Sequence, residues 1–258
     1  MSAGADRGKA GRREASADGA VSVDLSTLCD RRLAFAGDLV RNIKGIRVSQ
    51  DLFDDLSPDP VDWAVAIRSE GEASISTPAA VVTRPFDYGT VITWSFDPSH
   101  WVATRFSDGR RFGAWYGSTE LETTVHETVY HWHRFLMDSF PTEDRVITTD
   151  RRVCDVRADA TLVDLRGREI HTPALVSRSS YVLTQQVGAF VHGRGDAGLV
   201  VRSARCEGTN VAMLDRTALS DVRERCFLTY RCNPRADTVE VQRTPGRKWM
   251  DVQASLLY

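Results

Sequence analysis

The stretch Thr104–Leu136, TRFSDGRRFGAWYGSTELETTVHETVYHWHRFL, decides how the rest of the chain is read. Its first part is turn-rich, basic and aromatic, with Arg105, Asp108, Gly109, Arg110, Arg111, Gly113 and Tyr116 close together. Its second part has the period of a helix. Leu121, Val125, Val129, Trp132 and Leu136 recur at three- and four-residue steps, the spacing of a core-facing stripe. Thr119 and Glu122 match a capping box, a hydroxyl followed three residues later by a carboxylate, which predicts the helix start there. Glu127 falls off the apolar stripe, with Tyr130, His131 and Arg134 on its own side. A short loop and a helix therefore bring an Arg, a Tyr and a Glu to neighbouring places.

Outward from this stretch, composition narrows the classes. A chain of 258 residues suits one domain, or one domain with an extension. A formal net charge of −2 argues against direct nucleic-acid binding, which favours a strongly basic surface. Cys29, Cys154, Cys206, Cys226 and Cys232 are scattered without a C-x-x-C pair, which fits a reducing cytoplasm better than a disulfide framework. No apolar run approaches the roughly 20 residues of a membrane span, so no membrane is expected. Residues 1–20 lack an apolar signal region, and their Gly, Ala, Ser and charge content reads as a disordered tail.

From Val21 to about residue 75 the pattern predicts a helical extension. Leu25, Leu28, Leu33, Phe35, Leu39, Val40 and Ile43 suggest a helix or helical pair ending at Gly45, with further short helices beyond. The main domain is expected over 76–258. Strands are expected at Ala79–Thr83, Thr90–Phe96, Val146–Thr149, Arg152–Val156, Thr161–Asp164, Gly198–Ala204, Val211–Leu214, Phe227–Tyr230 and Thr238–Gln242. A second helix is expected over Tyr181–Val191, stopped by Gly193 and Gly195. Many short strands with two principal helices indicate an α+β fold with a mixed or antiparallel sheet.

Several motifs fail on geometry. His126 and His131 are five apart, so on a helix they point about 140° away from each other and cannot share a metal as H-E-x-x-H does. The glycines of His192–Gly198 follow a helix rather than open one, unlike a dinucleotide or phosphate loop. No G-x-S-x-G elbow is present. No metal or resident cofactor is expected.

The remaining combination resembles the RES-domain family, named after Arg, Glu and Ser. Arg105, then Tyr116 after a Gly-rich loop, then Glu127 on the following helix keep that family's order. The later segment YVLTQQVGAFV, then GLVVRSARCEGTNVAML, is similar to the family's helix and the strand that ends on its serine. Ser203 takes the place of that serine, and Gly208–Asn210 that of the following turn. The resemblance covers Thr83 to Leu214. It departs from the family's Gly-Gly-Arg-Trp motif, since Val102, Ala103 and Thr104 precede Arg105 and Phe106 follows it. The loop to Tyr116 is also one residue longer, which leaves Arg110 and Arg111 as alternatives to Arg105.

The resemblance implies a fold similar to diphtheria-toxin-like ADP-ribosyltransferases and cleavage of NAD at its nicotinamide–ribose bond, with water or phosphate as acceptor. It also implies a toxin blocked by a small antitoxin of the Xre, helix-turn-helix type. NAD is then a substrate rather than a cofactor. Glu127 is expected to favour the positive charge that develops on the ribose. Arg105, with Arg84 as a second clamp, is expected on the pyrophosphate. Tyr116 is expected to stack on the nicotinamide ring, and Ser203 to orient a ribose hydroxyl or the nicotinamide amide. Two other readings remain open from the sequence: ADP-ribosyl transfer to a macromolecule, and a non-catalytic interaction module derived from a RES domain.

Overall fold

The computed structural model describes residues 23–45, 89–140 and 142–258. The expected elements between 46 and 88, including the strand at 79–83, and the site candidate Arg84 lie outside the described residues. A short helix α1 (Leu25–Leu28) leads into β1 (Arg32–Lys44), α2 (Gly89–Thr93), β2 (Trp115–Ser118) and the long helix α3 (Leu121–Ser139). Then come β3 (Ile147–Asp164), helix α4 (Val182–Gly193), β4 (Gly198–Arg202), β5 (Thr209–Met213), β6 (Leu219–Cys232), β7 (Thr238–Thr244) and β8 (Arg247–Gln253). The eight strands form one mixed sheet in the order β1-β2-β5-β4-β3-β6-β7-β8, with β1 also paired to β3. Among the described residues only β3 and β4 pair in parallel, at Val163↔Leu199 and Asp164↔Val200. The α+β architecture is as the strand and helix pattern predicts.

Residues 32–44 are a strand, not the helix the apolar spacing suggested. They pair with β3 residue for residue from Arg32↔Val163 to Lys44↔Arg151. Phe35, Leu39 and Ile43 stand four apart, which mimics a helical stripe. Leu33 stands two before Phe35, and all four share one parity with Gly37 and Arg41 between them. That parity is the period of a strand face, and pairing with β3 selects it. The β-branched and aromatic run at 90–96 also differs from expectation. It forms α2 and a 3-10 turn, Trp94–Phe96, because Val91 is buried and its carbonyl accepts from Trp115 Nε1 at 2.9 Å. Strand propensity yields there to tertiary packing. The three strands expected between 146 and 164 are one strand of 18 residues, with irregularities after Val153 and Val156 where it pairs with β6.

Helix α3 follows its stripe: Leu121, Val125, Val129 and Leu136 pack on Val153, Leu228, Tyr230, Val239 and Val241 of the sheet. Its start differs from the capping box. Glu120 is the N-cap and makes no capping hydrogen bond, while the Thr119 amide donates to the Thr209 carbonyl at 3.1 Å and so continues strand pairing. Helix α4 buries Val187 and Val191 against Phe106, Phe112, Leu199 and Leu214 on a second part of the sheet. Gly188 allows the close approach, since a Cβ there would stand 1.8 Å from the Phe106 carbonyl oxygen. The loop carrying Arg105 is thereby pressed against α4.

Asp164 ties the ends of β1 and β3 together. Its carboxylate accepts from Arg31 Nη2 at 2.8 Å and from Arg166 Nε and Nη2 at 2.9 and 3.0 Å. Burial alone would raise its pKa, but these donors and the Arg166 amide hold it at about 2. A carboxyl depressed below its ordinary value stabilises the fold above about pH 4 and loses that contribution as pH falls towards 2. Because Arg31 is half exposed, the contribution is about 1–2 kcal/mol. Asp164→Asn is expected to be less stable than wild type to urea at pH 7, with the difference closing between pH 4 and pH 2. A difference independent of pH would disprove the linkage.

Candidate active site

Glu127 reaches the site from the second turn of α3, on the side away from the apolar stripe. Its Oε1 accepts from Ser203 Oγ and from Asn210 Nδ2, both at 2.6 Å. Asn210 is itself oriented by Ser118 Oγ, which donates to its Oδ1 at 2.6 Å. The Ser203 hydroxyl accepts the amides of Arg205 and Cys206 at 3.0 and 3.3 Å, which leaves its own proton for the carboxylate. Two strand ends thus hold one oxygen of one carboxylate, and a third, at Ser118, orients one of the two donors. The loop after β4 can lie this close because Gly208 has no side chain; a Cβ there would meet Thr123 Oγ1 at 1.8 Å. Oε2 accepts no hydrogen bond from a described residue.

Glu127 lines a cavity of about 410 Å³, and is the only carboxylate residue among its described lining. Arg41, Arg105, Arg202, Tyr116, Tyr181 and His131 contribute to the same wall. Of the three arginines left open by the loop length, the structure places Arg105 on the cavity. Arg110 and Arg111 are exposed, and Arg111 pairs with Asp108 at 3.2 Å.

The Arg105 guanidinium is held from three sides. Its Nη1 donates to the Ser177 carbonyl at 2.9 Å and to that of Leu175 at 3.4 Å, and its Cζ lies 4.7 Å from the Tyr181 ring centroid. Desolvation by burial lowers its pKa, partly opposed by Tyr181 and Glu127. Tyr116 secures the loop beneath: its hydroxyl accepts the Phe106 amide at 2.9 Å and bonds Thr104 Oγ1 at 2.8 Å. Burial pushes the phenol pKa up to about 12, so it stays protonated. Gln185 on α4 adds donors to the Thr104 and Ser107 carbonyls at 2.9 and 3.3 Å. The tyrosine hydroxyl is thus engaged with protein, and the residue both packs on the core and lines the cavity.

Ser203 stands differently from the expectation for a substrate contact. It is buried, does not line the cavity, and meets the site through Glu127. His131 is exposed at the rim one turn above Glu127, and no hydrogen bond joins the two. Desolvation against the wall lowers its pKa, Glu127 opposes this, and the Arg205, Arg105 and Arg134 charges add to the lowering. Among the described residues no group of three or more His, Cys, Asp or Glu is placed to hold a metal. None of their helices is long and apolar enough to cross a membrane.

The sequence reading missed two contributors. Asn210 was visible only as part of a turn, although its place seven residues after Ser203 and across from β2 is what lets it reach Glu127. Arg41 carried no signal, because its strand was read as part of a helical extension.

A model of the RES domain matches residues 77–233, more than half of the chain. The chain belongs to the RES-domain family. Arg105, Tyr116, Glu127 and Ser203 all fall inside the match, and β1 with its Arg41 falls outside it. No curated protein matches the sequence. Among solved structures, this RES-domain chain is similar to one in the crystal structure of the M. tuberculosis MbcT-MbcA toxin-antitoxin complex. The identity is 10%, the TM-score 0.44, and the alignment covers 81% of this chain and 92% of the other.

Proposed function

We propose that this RES-domain protein is an enzyme that cleaves the nicotinamide–ribose bond of NAD, by hydrolysis or by transfer to phosphate. We further propose that it acts in the cytoplasm as the toxin of a toxin–antitoxin pair, its partner being a small antitoxin of the Xre, helix-turn-helix type. The observation that carries the catalytic reading is Glu127: one carboxylate, immobilised through Oε1, set in a cavity otherwise lined by cationic, aromatic and neutral side chains.

The chemistry follows from that arrangement. The C1′–N1 bond breaks with its electron pair, nicotinamide leaves neutral, and positive charge develops on the ribose. A carboxylate whose orientation is paid for by Ser203 and Asn210 stabilises that charge without reorganising. Its other oxygen is available to a ribose hydroxyl or to the attacking water, whose proton passes to solvent. Arg105 suits a phosphate oxygen of the dinucleotide, since a guanidinium fork donates two charge-assisted bonds. The Tyr116 ring suits the nicotinamide face.

The test is incubation of the purified full chain with NAD, with and without phosphate, and separation of the products. Nicotinamide with ADP-ribose identifies water as the acceptor, and a phosphorylated ADP-ribose identifies phosphate. A folded protein that releases no nicotinamide under either condition would overturn the reading, in favour of a macromolecular acceptor or a binding module.

A further inference from the structure

Strand β1 lies outside the RES match, yet it places Arg41 on the cavity wall. The Arg41 guanidinium donates from Nη1 to the Tyr116 carbonyl at 2.6 Å and from Nη2 to Ser95 Oγ at 3.1 Å. Its Cζ lies 5.1 Å from the Trp115 ring centroid. Its Nε is buried and has no partner. A guanidinium has five N–H bonds, so these contacts leave most of its donors unused.

None of those neighbours is negative. Among the described residues no carboxylate pairs with Arg41, whereas Arg202 on the same wall is paired with Glu207. Arg151 is a nearby like charge, and it is bonded to Asn42 rather than to an acid. Burial, then the Arg151 charge, lowers the Arg41 pKa to about 10, so the group remains a cation at neutral pH. A cation withdrawn from water without a counter-ion is costly to a fold. Arg105, the third arginine of the wall, has carbonyl and ring partners and no acid among the described residues. Two arginines therefore line one cavity whose single carboxylate among the described residues, Glu127, forms an ion pair with neither.

We propose that Arg41 is a second anion-binding residue of the cavity and takes a phosphate-type oxyanion of the substrate. Together with Arg105 it makes a site for a diphosphate. That the diphosphate belongs to a dinucleotide rests on the NAD reading; the anion site does not. The strand outside the family match thereby becomes part of the binding machinery.

The probe is inorganic pyrophosphate, titrated into the full chain by calorimetry and thermal shift. Saturable binding is expected for wild type. Affinity should fall about tenfold or more in Arg41→Met, the worth of one charge-assisted hydrogen bond, and partly recover in Arg41→Lys, which keeps the charge without the fork. With NAD, the KM of Arg41→Met should rise by more than its kcat falls. An arginine with only a structural role would instead lower Tm and leave pyrophosphate affinity at the wild-type level, which would overturn the proposal. Because Arg41→Met removes a buried group, a measurement on wild type stands beside it: the ¹⁵Nε resonance of Arg41 should shift on titration, and an unmoved resonance also overturns the proposal. Pyrophosphate binding through Arg41 in a protein inert towards NAD would keep the anion site and remove the NAD reading. NAD cleavage with KM insensitive to Arg41 would do the reverse.

Discussion

Glu127→Ala is expected to lower the rate of nicotinamide release from NAD by about 10²–10³-fold, the usual effect of removing one preoriented electrostatic contact. The magnitude follows from how Glu127 is held. Two donors at 2.6 Å fix Oε1 before substrate arrives, so its charge is in place when the ribose becomes positive. The same contacts carry a stability cost, because Ala leaves Ser203 Oγ and Asn210 Nδ2 without their acceptor, at about 1–3 kcal/mol. The assay therefore runs beside a thermal melt, with Glu127→Gln as a variant of the same shape and no charge. Expression of wild type should arrest bacterial growth, and expression of either variant should be tolerated. Equal nicotinamide release by wild type and a folded Glu127→Ala protein would remove Glu127 from the chemistry.

The largest expected effect on stability is that of Trp115→Ala, about 3–5 kcal/mol. Trp115 is fully buried in the cluster of Leu39, Val156, Val200, Val211 and Met213. Its ring lies so close to Gly117 that a Cβ there would stand 2.7 Å from it. The substitution opens a cavity in the sheet, leaves the Val91 carbonyl without its donor, and takes away the ring beside Arg41. For a chain of this length about 2–4 °C is lost per kcal/mol, so the melting temperature should fall by roughly 10 °C. Trp115→Phe should fall less, since it keeps one aromatic ring in the cluster while losing the Nε1 bond and part of the indole volume. A Trp115→Ala protein melting within about 2 °C of wild type would show that the sheet closes around the gap.

How far the fold was legible depended on whether a segment's own period named its partner. Leu121, Val125, Val129 and Leu136 repeat over four turns, and no strand pairing competes for them, so α3 was readable and the place of Glu127 with it. The same holds for α4, where the apolar side of Val187 and Val191 ends at Gly193. At Leu33–Ile43 the apolar spacing satisfies both a strand and a helix, and nothing local breaks the tie. Thirteen paired residues on β3 break it, and those lie more than a hundred positions away in the chain. Thr90–Phe96 failed for the complementary reason, since a strand needs a free sheet edge and Trp115 instead draws Val91 into the core.

The site divides along the same line. By itself the sequence determined the order Arg105, Tyr116, Glu127 and Ser203, the helix that carries Glu127, and through them membership of the RES-domain family; these are matters of residue type and short spacing. Only the tertiary structure decided that Arg105 rather than Arg110 or Arg111 reaches the cavity, that Ser203 stands behind Glu127 together with Asn210, and that Arg41 joins the wall from a distant strand. Hydrogen bonds of 2.6 Å between residues 76 and 83 positions apart depend on which strands become neighbours. Strand neighbours are chosen by packing of the whole sheet, for which no local pattern in the chain is a substitute.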